Sequence, residues 1–462
     1  MRVDKPRDEK EEGGNKDRRH RASSKQDKTK TNDGNGVMVF KSTDPTTATT
    51  TYAFKDTEPI VRTRDPFEQG NVIRKAHRIK VAGASPPPPL RSFTELQTMY
   101  NAPSRVLKNL CDGRFVEPTP IQRQAIPCLL LGRELLAVAP TGSGKTLAFL
   151  LPLVMYVKKL LKAETHQSDD DNDEGDEVDV EDQINKKKSN KNTHIKAVVV
   201  SPTKELNLQT GRVLKLLLPG LRLRCSVLTK ATAAGTDFSK VDILLANPLR
   251  LGGMVQEGKI RLDHVRMLIL DEADKLFDLG FTEQIDAVIA ACTHPDIVRG
   301  LFSATLPETV EALARTVLRD PLRITVGERG AAASTVDQRL LFVGRENGKL
   351  MALRQVIADG LRPPILVFVN TKERAKELHR ELMYDGVHVD SLHAAQSVAA
   401  RAAAVDNFRL GKTWVLVATD VVGRGMDFAG VNTVINFDFP RSTTDYIHRV
   451  GRTGRAGRGG WR

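Results

Sequence analysis

Apolar residues fall in two rhythms along this chain. In one, every position of a short run is apolar, as in Ala197-Val-Val-Val200 and Met267-Leu-Ile-Leu270. A strand hydrophobic on both faces belongs to a parallel sheet covered by helices on either side. Such runs predict strands over 134–139, 196–201, 224–229, 242–246, 267–271 and 299–303. A second set is predicted over 338–343, 365–369, 388–392, 414–418 and 433–438. In the other rhythm apolar residues recur at helical spacing, as do Ala375, Leu378 and Leu382. Asn370 with Glu373 predicts the N-terminal cap of that helix. The alternation predicts two similar α/β domains, 92–326 and 338–462, with a hinge over 327–337 that contains Ala331-Ala-Ala-Ser334.

Some stretches break the rhythm. Residues 1–70 are polar and poor in large apolar side chains, too little to offset their ordering entropy, so a disordered basic tail is expected. Its basic stretch Lys16-Asp-Arg-Arg-His-Arg21 reads equally as a nuclear address, an RNA-attracting arm or a plain solvated tail. Residues 71–91 are a flank ending in the stiff connector Pro86–Pro89, and folded structure is expected from near Ser92. A second interruption, about 165–192, carries Asp169-Asp-Asp171 and Lys186-Lys-Lys188 and is expected to be a disordered surface insert.

Composition narrows the function. The chain has 462 residues and a net charge of +13, from 70 Lys and Arg against 57 Asp and Glu. That excess points to a polyanionic partner, nucleic acid first. Cys111, Cys128, Cys225 and Cys292 show no zinc-ligand spacing and read as plain thiols in a reducing compartment. No secretory leader follows Met1, and no run approaches the ~18 apolar residues of a membrane helix. A soluble cytosolic or nuclear protein without membrane contact is expected.

The chemistry centres on Ala139-Pro140-Thr141-Gly142-Ser143-Gly144-Lys145-Thr146, set between an apolar strand and a predicted helix. Strand, glycine-rich loop and helix are the context of a phosphate-binding loop. Gly142 and Gly144 let several N–H groups converge, and the helix N-terminus faces the same point. Lys145 would bind the β- and γ-phosphates, and the Thr146 hydroxyl would ligate Mg²⁺. The apolar strand Leu268-Ile-Leu270 ends in Asp271-Glu272-Ala273-Asp274. Strand ends of a doubly wound sheet face the ligand crevice, so Asp271 would hold Mg²⁺ and Glu272 would activate the attacking water.

These two segments resemble those of the DEAD-box ATP-dependent RNA helicases. Others appear in the family's order: Phe115-Val-Glu-Pro-Thr-Pro-Ile-Gln122, Pro202-Thr-Lys-Glu-Leu206, Ser303-Ala-Thr305, Thr419-Asp-Val-Val-Gly-Arg-Gly-Met-Asp427 and His448-Arg-Val-Gly-Arg-Thr-Gly-Arg455. The resemblance spans about 92–458. It is closest to the nucleolar helicases of small-subunit (18S) pre-ribosomal RNA processing, through Gly132–Thr146, Arg74–Val81 and Asp438-Phe-Pro440 before Tyr446-Ile-His-Arg449. It implies two tandem RecA-like domains, ATP and Mg²⁺ as cofactors, RNA as partner, activating proteins, a monomer, and the nucleus and nucleolus, or otherwise the cytoplasm, as location.

The resemblance also assigns residues. Gln122 reads adenine, with Phe93 the candidate to stack on the base. Asp427 holds the ribose, Arg452 and Arg455 reach the γ-phosphate, and His448 bridges the domains. Pro202, Thr203, Arg250, Ser303, Thr305, Arg401, Thr419 and Arg424 bind RNA or couple it to hydrolysis. Contacts to the phosphate backbone would make recognition independent of sequence.

The sequence departs from the family pattern at Asn247, usually Thr, at Val398, usually Gln, and at Gly423, usually Ala. No Gly-Gly doublet lies between Thr229 and Asp237. The chain stops four residues after Arg458, where the family continues through another strand and helix. An incomplete second domain is therefore expected. The leading reading is an RNA-stimulated ATPase that unwinds or remodels RNA; the alternatives are an RNA clamp with little turnover and a DNA-acting ATPase.

Overall fold

The computed structural model describes residues 65–170, 194–327, 336–360, 362–420, 428, 430–453 and 460–461. The first lobe begins with helix α1 (Pro66–Ala76), strand β1 (Ile79–Ala82) and helices α2 (Glu95–Tyr100), α3 (Ser104–Asp112) and α4 (Pro120–Leu130). Strand β2 (Leu135–Val138) then leads into the long helix α5 (Lys145–Asp170). The α/β alternation follows as β3 (Ala197–Val200), α6 (Lys204–Leu217), β4 (Cys225–Val227), α7 (Lys230–Gly235), β5 (Ile243–Ala246) and α8 (Pro248–Gln256). It closes with β6 (Met267–Asp271), α9 (Ala273–Asp278), α10 (Thr282–Ala291), β7 (Val298–Ser303), α11 (Glu308–Val317) and β8 (Leu322–Val326).

These strands form one eight-stranded sheet in the order β1-β8-β2-β7-β6-β3-β5-β4. It is parallel except for β1, which runs antiparallel to β8. Every residue of β2, β3, β5 and β6 is buried, because one apolar cluster covers each sheet face. The all-apolar runs thus became central strands, as their two-faced hydrophobicity requires.

The second lobe runs β9 (Val336–Asp337), α12 (Glu346–Ala358), β10 (Ile365–Val369), α13 (Lys372–Tyr384) and β11 (Val389–Leu392). It continues with α14 (Val398–Arg409), β12 (Val415–Thr419), β13 (Thr433–Asn436), α15 (Thr443–Val450) and β14 (Gly460–Trp461). Its parallel sheet has the order β11-β12-β10-β13-β14-β9 and carries apolar clusters on both faces. Both sheets lie within one compact unit, Val37–Arg462.

Several expectations change. Folded structure starts well before Ser92: β1 pairs residue by residue with 323–326, and α1 is anchored by Arg74. The Arg74 guanidinium donates to Gln124 Oε1 (2.9 Å) and Pro87 O (2.8 Å), so the connector is tied to α4. Residues 338–343 form no strand; Leu340 and Phe342 are over 90% exposed, and the edge strand is Val336–Asp337 just before them, inside the expected hinge. Helix α5 continues through 165–170 into the expected insert. Thr371, not Asn370, caps α13, its Oγ1 accepting from Arg374 N, while Asn370 Nδ2 donates to Phe439 O. The basic tail up to residue 64, the insert over 171–193 and the hinge over 328–335 lie outside the described residues.

Candidate active site

The loop between β2 and α5 curls as its glycines allow: Gly142 and Gly144 have φ of 80° and 93°. A Cβ on Gly144 would stand 2.5 Å from Gln122 Nε2, so only glycine lets α4 approach the loop. Gln122 Nε2 donates to Gly144 O (3.0 Å), and Gln122 Oε1 accepts from Thr119 N (3.0 Å). The adenine-reading candidate therefore already rests on the phosphate loop. Phe93 does not join it. Its ring is wholly buried in the first lobe's core, so the stacking role is withdrawn. A phenylalanine surrounded by apolar neighbours gains more from burial than from an exposed face.

Lys145 is buried and donates to Ala139 O (2.6 Å) and Pro140 O (3.1 Å). Burial pulls its pKa down to about 8, against the opposing pull of Asp271, Glu272 and Asp274. Asp271 ends β6, where burial and then the Glu272 charge push its carboxyl up to about 7. Glu272 occupies a left-handed conformation (φ 52°, ψ 52°) ahead of α9. Burial would raise its carboxyl, but the neighbouring charges, Lys275 first and Arg452 among them, outweigh that and hold it low. Ser143 Oγ is buried and has no hydrogen-bond partner among the described residues.

These features fit a polyphosphate. The loop offers a narrow cradle, a buried ammonium and an orphaned hydroxyl, and each gains a partner from phosphate oxygens. Thr146 and Asp271 supply oxygen ligands of the kind a hard divalent cation takes. Among the described residues no group of three or more His, Cys, Asp or Glu could hold a metal unaided.

The second lobe contributes the end of α15. His448 is 1% exposed; its Nε2 lies 3.1 Å from Asp274 Oδ2 and its Nδ1 lies 3.3 Å from Thr141 Oγ1. Burial draws the imidazole down to about 4, so the neutral ring donates Nε2–H to Asp274 and accepts from the Thr141 hydroxyl. A Cβ on Gly451 would stand 3.1 Å from Thr141 Cβ, which shows how closely α15 meets the loop. Arg452 is 2% exposed, donates to His448 O (3.1 Å), and its charge acts on Glu272 and Lys275.

Asp274 joins the lobes. Its Oδ2 also accepts from Thr305 N (2.9 Å) and Thr305 Oγ1 (2.7 Å), and Ser303 Oγ accepts from Asp274 N (3.2 Å). Burial would raise the Asp274 carboxyl; the His448 ring and these donors outweigh it and keep it ionised. Ser303 and Thr305 are thus occupied with Asp274.

Of the RNA-facing candidates, Thr203 Oγ1 caps α6 by accepting from Leu206 N (3.2 Å), and Pro202 O accepts from Asn247 Nδ2 (2.6 Å). Asn247 also caps α8 through Leu249 N, so the departure from Thr keeps a capping side chain. Arg250 is exposed, and Thr419 is buried at the end of β12. Arg401 reaches across the lobes to Glu205 (2.7 Å). Asp427, Arg424, Gly423 and Arg455 lie outside the described residues, as does the Val398 side chain. Sequence reasoning missed Lys275, whose buried ammonium pairs with Glu272, and Arg449, whose buried guanidinium pairs with Asp420. The available signal was a cation directly after the acidic motif for Lys275 and inside the quoted His448–Arg455 segment for Arg449.

A phosphate loop facing an acid-tipped strand, closed by a histidine and an arginine from a second α/β lobe, defines a two-lobed P-loop nucleoside triphosphatase. Comparison with known proteins narrows this. Residues 119–313 match the DEAD/DEAH box helicase family and 348–457 the helicase conserved C-terminal domain. The chain is 46% identical over 404 residues to DEAD-box ATP-dependent RNA helicase 57 of Oryza sativa subsp. japonica, covering 86% of this chain and 69% of that protein. It is 43% identical to the probable ATP-dependent RNA helicase DDX52 of Mus musculus, covering 85% and 62%. The chain thus spans about two thirds of these relatives' length. Among solved structures, Mss116p bound to ssRNA and AMP-PNP aligns with a TM-score of 0.67 at 25% identity, over 80% of this chain and 73% of that one. The protein belongs to the DEAD-box RNA helicase family. Among the described residues no helix is long and apolar enough to cross a membrane.

Proposed function

We propose that this chain hydrolyses ATP to unwind short RNA duplexes or remodel ribonucleoproteins, in the nucleolus, during small-subunit pre-ribosomal RNA processing. The observation that carries the reading is the contact of His448 with both Thr141 and Asp274, with the Arg452 charge acting on Glu272. Hydrolysis then depends on the lobes meeting, and RNA gripped by both lobes would favour that meeting. The resemblance to nucleolar helicases around Arg74–Val81 and Gly132–Thr146 supports the ribosomal assignment.

Each residue has a role in this reading. Gln122 selects adenine by an amide pair to its edge. Lys145 and the Ala139–Thr146 amides hold the phosphates, and Thr146 and Asp271 hold Mg²⁺, which supplies charge neutralisation at the phosphates. Glu272 orients the attacking water and accepts its proton. Arg452, with Arg455, neutralises charge developing on the γ-phosphate; guanidinium suits this because it is planar and always charged. Asp427 holds the ribose. Pro202, Thr203, Arg250, Arg401, Thr419 and Arg424 line the RNA path, and Ser303, Thr305 and His448 couple it to the acids. The chain acts as a monomer recruited by protein activators.

The test is displacement of a short labelled RNA strand from a duplex. Strand release that requires ATP and is lost in Lys145→Ala supports the reading. ATP-independent binding without release overturns it in favour of a clamp.

A further inference from the structure

Lys275 stands one turn beyond Glu272 and its side chain is 1% exposed. Its ammonium meets Glu272 Oε2 at 2.5 Å, and the Glu272 side chain is itself 9% exposed. The left-handed backbone at Glu272 is a conformation that residues other than glycine rarely adopt. It places the carboxylate within reach of a side chain three positions on. Such strain persists only where surrounding structure fixes it, and it gathers at functional sites.

A buried ion pair of this kind adds little stability, because desolvating both charges cancels most of their attraction. Its effect is on geometry. Lys275 donates to Oε2, and among the described residues no protein group donates to Oε1. One oxygen is clamped and the other is left for a ligand. Lys145, Asp271, Asp274, His448 and Arg452 all lie within electrostatic reach of Lys275 or Glu272.

We propose that Lys275 is a positioning residue for hydrolysis, fixing Glu272 through Oε2 so that Oε1 faces the attacking water. The inference rests on the proposed role of Glu272 as the group that takes the water's proton. The proton passes from water to Oε1 as the water oxygen bonds to the γ-phosphorus and the bond to the leaving diphosphate oxygen breaks. Lys275 keeps its own protons throughout.

The test is a double-mutant cycle on the full chain, reading kcat and KM for ATP with saturating single-stranded RNA. Lys275→Met keeps the side chain's length and removes the donor. It should lower kcat by about ten- to a hundredfold while KM stays within about twofold, since misorienting a catalytic group slows the chemical step and not ground-state binding. In a Glu272→Gln background the same change should alter the residual single-turnover rate by less than about twofold, because Lys275 acts through that carboxylate. If Lys275→Met fails to fold, as judged by ATP binding, Lys275→Gln is read by the same criteria. Unchanged kcat, an equal loss in both backgrounds, or a loss confined to KM overturns the clamp. Full hydrolysis by Glu272→Gln alone overturns instead the role of Glu272.

Discussion

Replacing Asp274 by Asn tests how far this one carboxylate holds the first lobe together and binds the second lobe to it. Oδ2 accepts from Thr305 N, Thr305 Oγ1 and His448 Nε2, while Oδ1 accepts from Lys275 N (3.0 Å). An asparagine can keep Oδ1 for Lys275 N, but it must present an NH₂ to the other three groups. The Thr305 hydroxyl can rotate to accept, and His448 can change tautomer. The Thr305 N–H can do neither. Leaving it unsatisfied in a buried site costs about 1–3 kcal/mol. The two remaining bonds fall from charge-assisted to neutral strength, about 1 kcal/mol each. The sum is about 3–5 kcal/mol. At about 2–4 °C per kcal/mol for a lobe of this size, the first lobe's melting midpoint should drop by about 6–20 °C. About 1 kcal/mol of the loss belongs to the His448 contact, so the closed arrangement should be about fivefold less populated. Thermal unfolding of the first lobe gives the larger figure, and fluorescence energy transfer between labelled lobes gives the smaller. A variant that melts within about 2 °C of the parent would refute the reasoning.

Acidification should also open the lobes. His448 faces Asp274, Glu272, Lys275 and Arg452, and burial holds its ring near pKa 4 in place of the ordinary 6.5. Above pH 6.5 the ring is neutral whether buried or free and contributes no pH dependence. As pH falls from 6.5 to about 4 the freed ring takes up a proton that the buried ring refuses, so closure weakens by up to about 3 kcal/mol. Interlobe energy transfer that stays flat over this range would contradict the burial argument. Glu205→Gln should release Arg401 from its interlobe ion pair. The partly exposed pair is worth about 1 kcal/mol, so single-stranded RNA should bind about fivefold more tightly by fluorescence anisotropy. Unchanged or weaker binding would show that Arg401 does not compete for RNA phosphates.

The site was legible where chemistry is local. A glycine-rich loop after an apolar strand and a strand ending in acids each carry their meaning within a few residues, and Lys145, Asp271 and Glu272 stand together in the structure as that reading requires. Misreadings arose where a partner lies far along the chain. Ile79–Ala82 looks like basic flank until Arg323–Val326 supplies the strand it pairs with. Arg74 lies in the same expected flank, yet Gln124 and Pro87 close around it. Residues 338–343 have the composition of a strand, yet pairing settles on Val336 and Asp337. Phe93 carries the right chemistry for stacking on a base, but its burial depends on a core that no short motif encodes. Lys275 was visible only as the residue after a motif, and its role depends on the left-handed turn at Glu272.

In the proposed function, hydrolysis occurs where the second lobe's arginine meets the first lobe's phosphate loop and acids, and RNA promotes that meeting. Steady-state ATPase, measured alone, with single-stranded RNA and with single-stranded DNA of the same sequence, tests this most directly. The expected result is a low basal rate, strong stimulation by RNA, little by DNA, and loss of the stimulated rate in Arg452→Ala with KM for ATP nearly unchanged. A rate indifferent to RNA, or an Arg452→Ala enzyme that RNA stimulates fully, would contradict it.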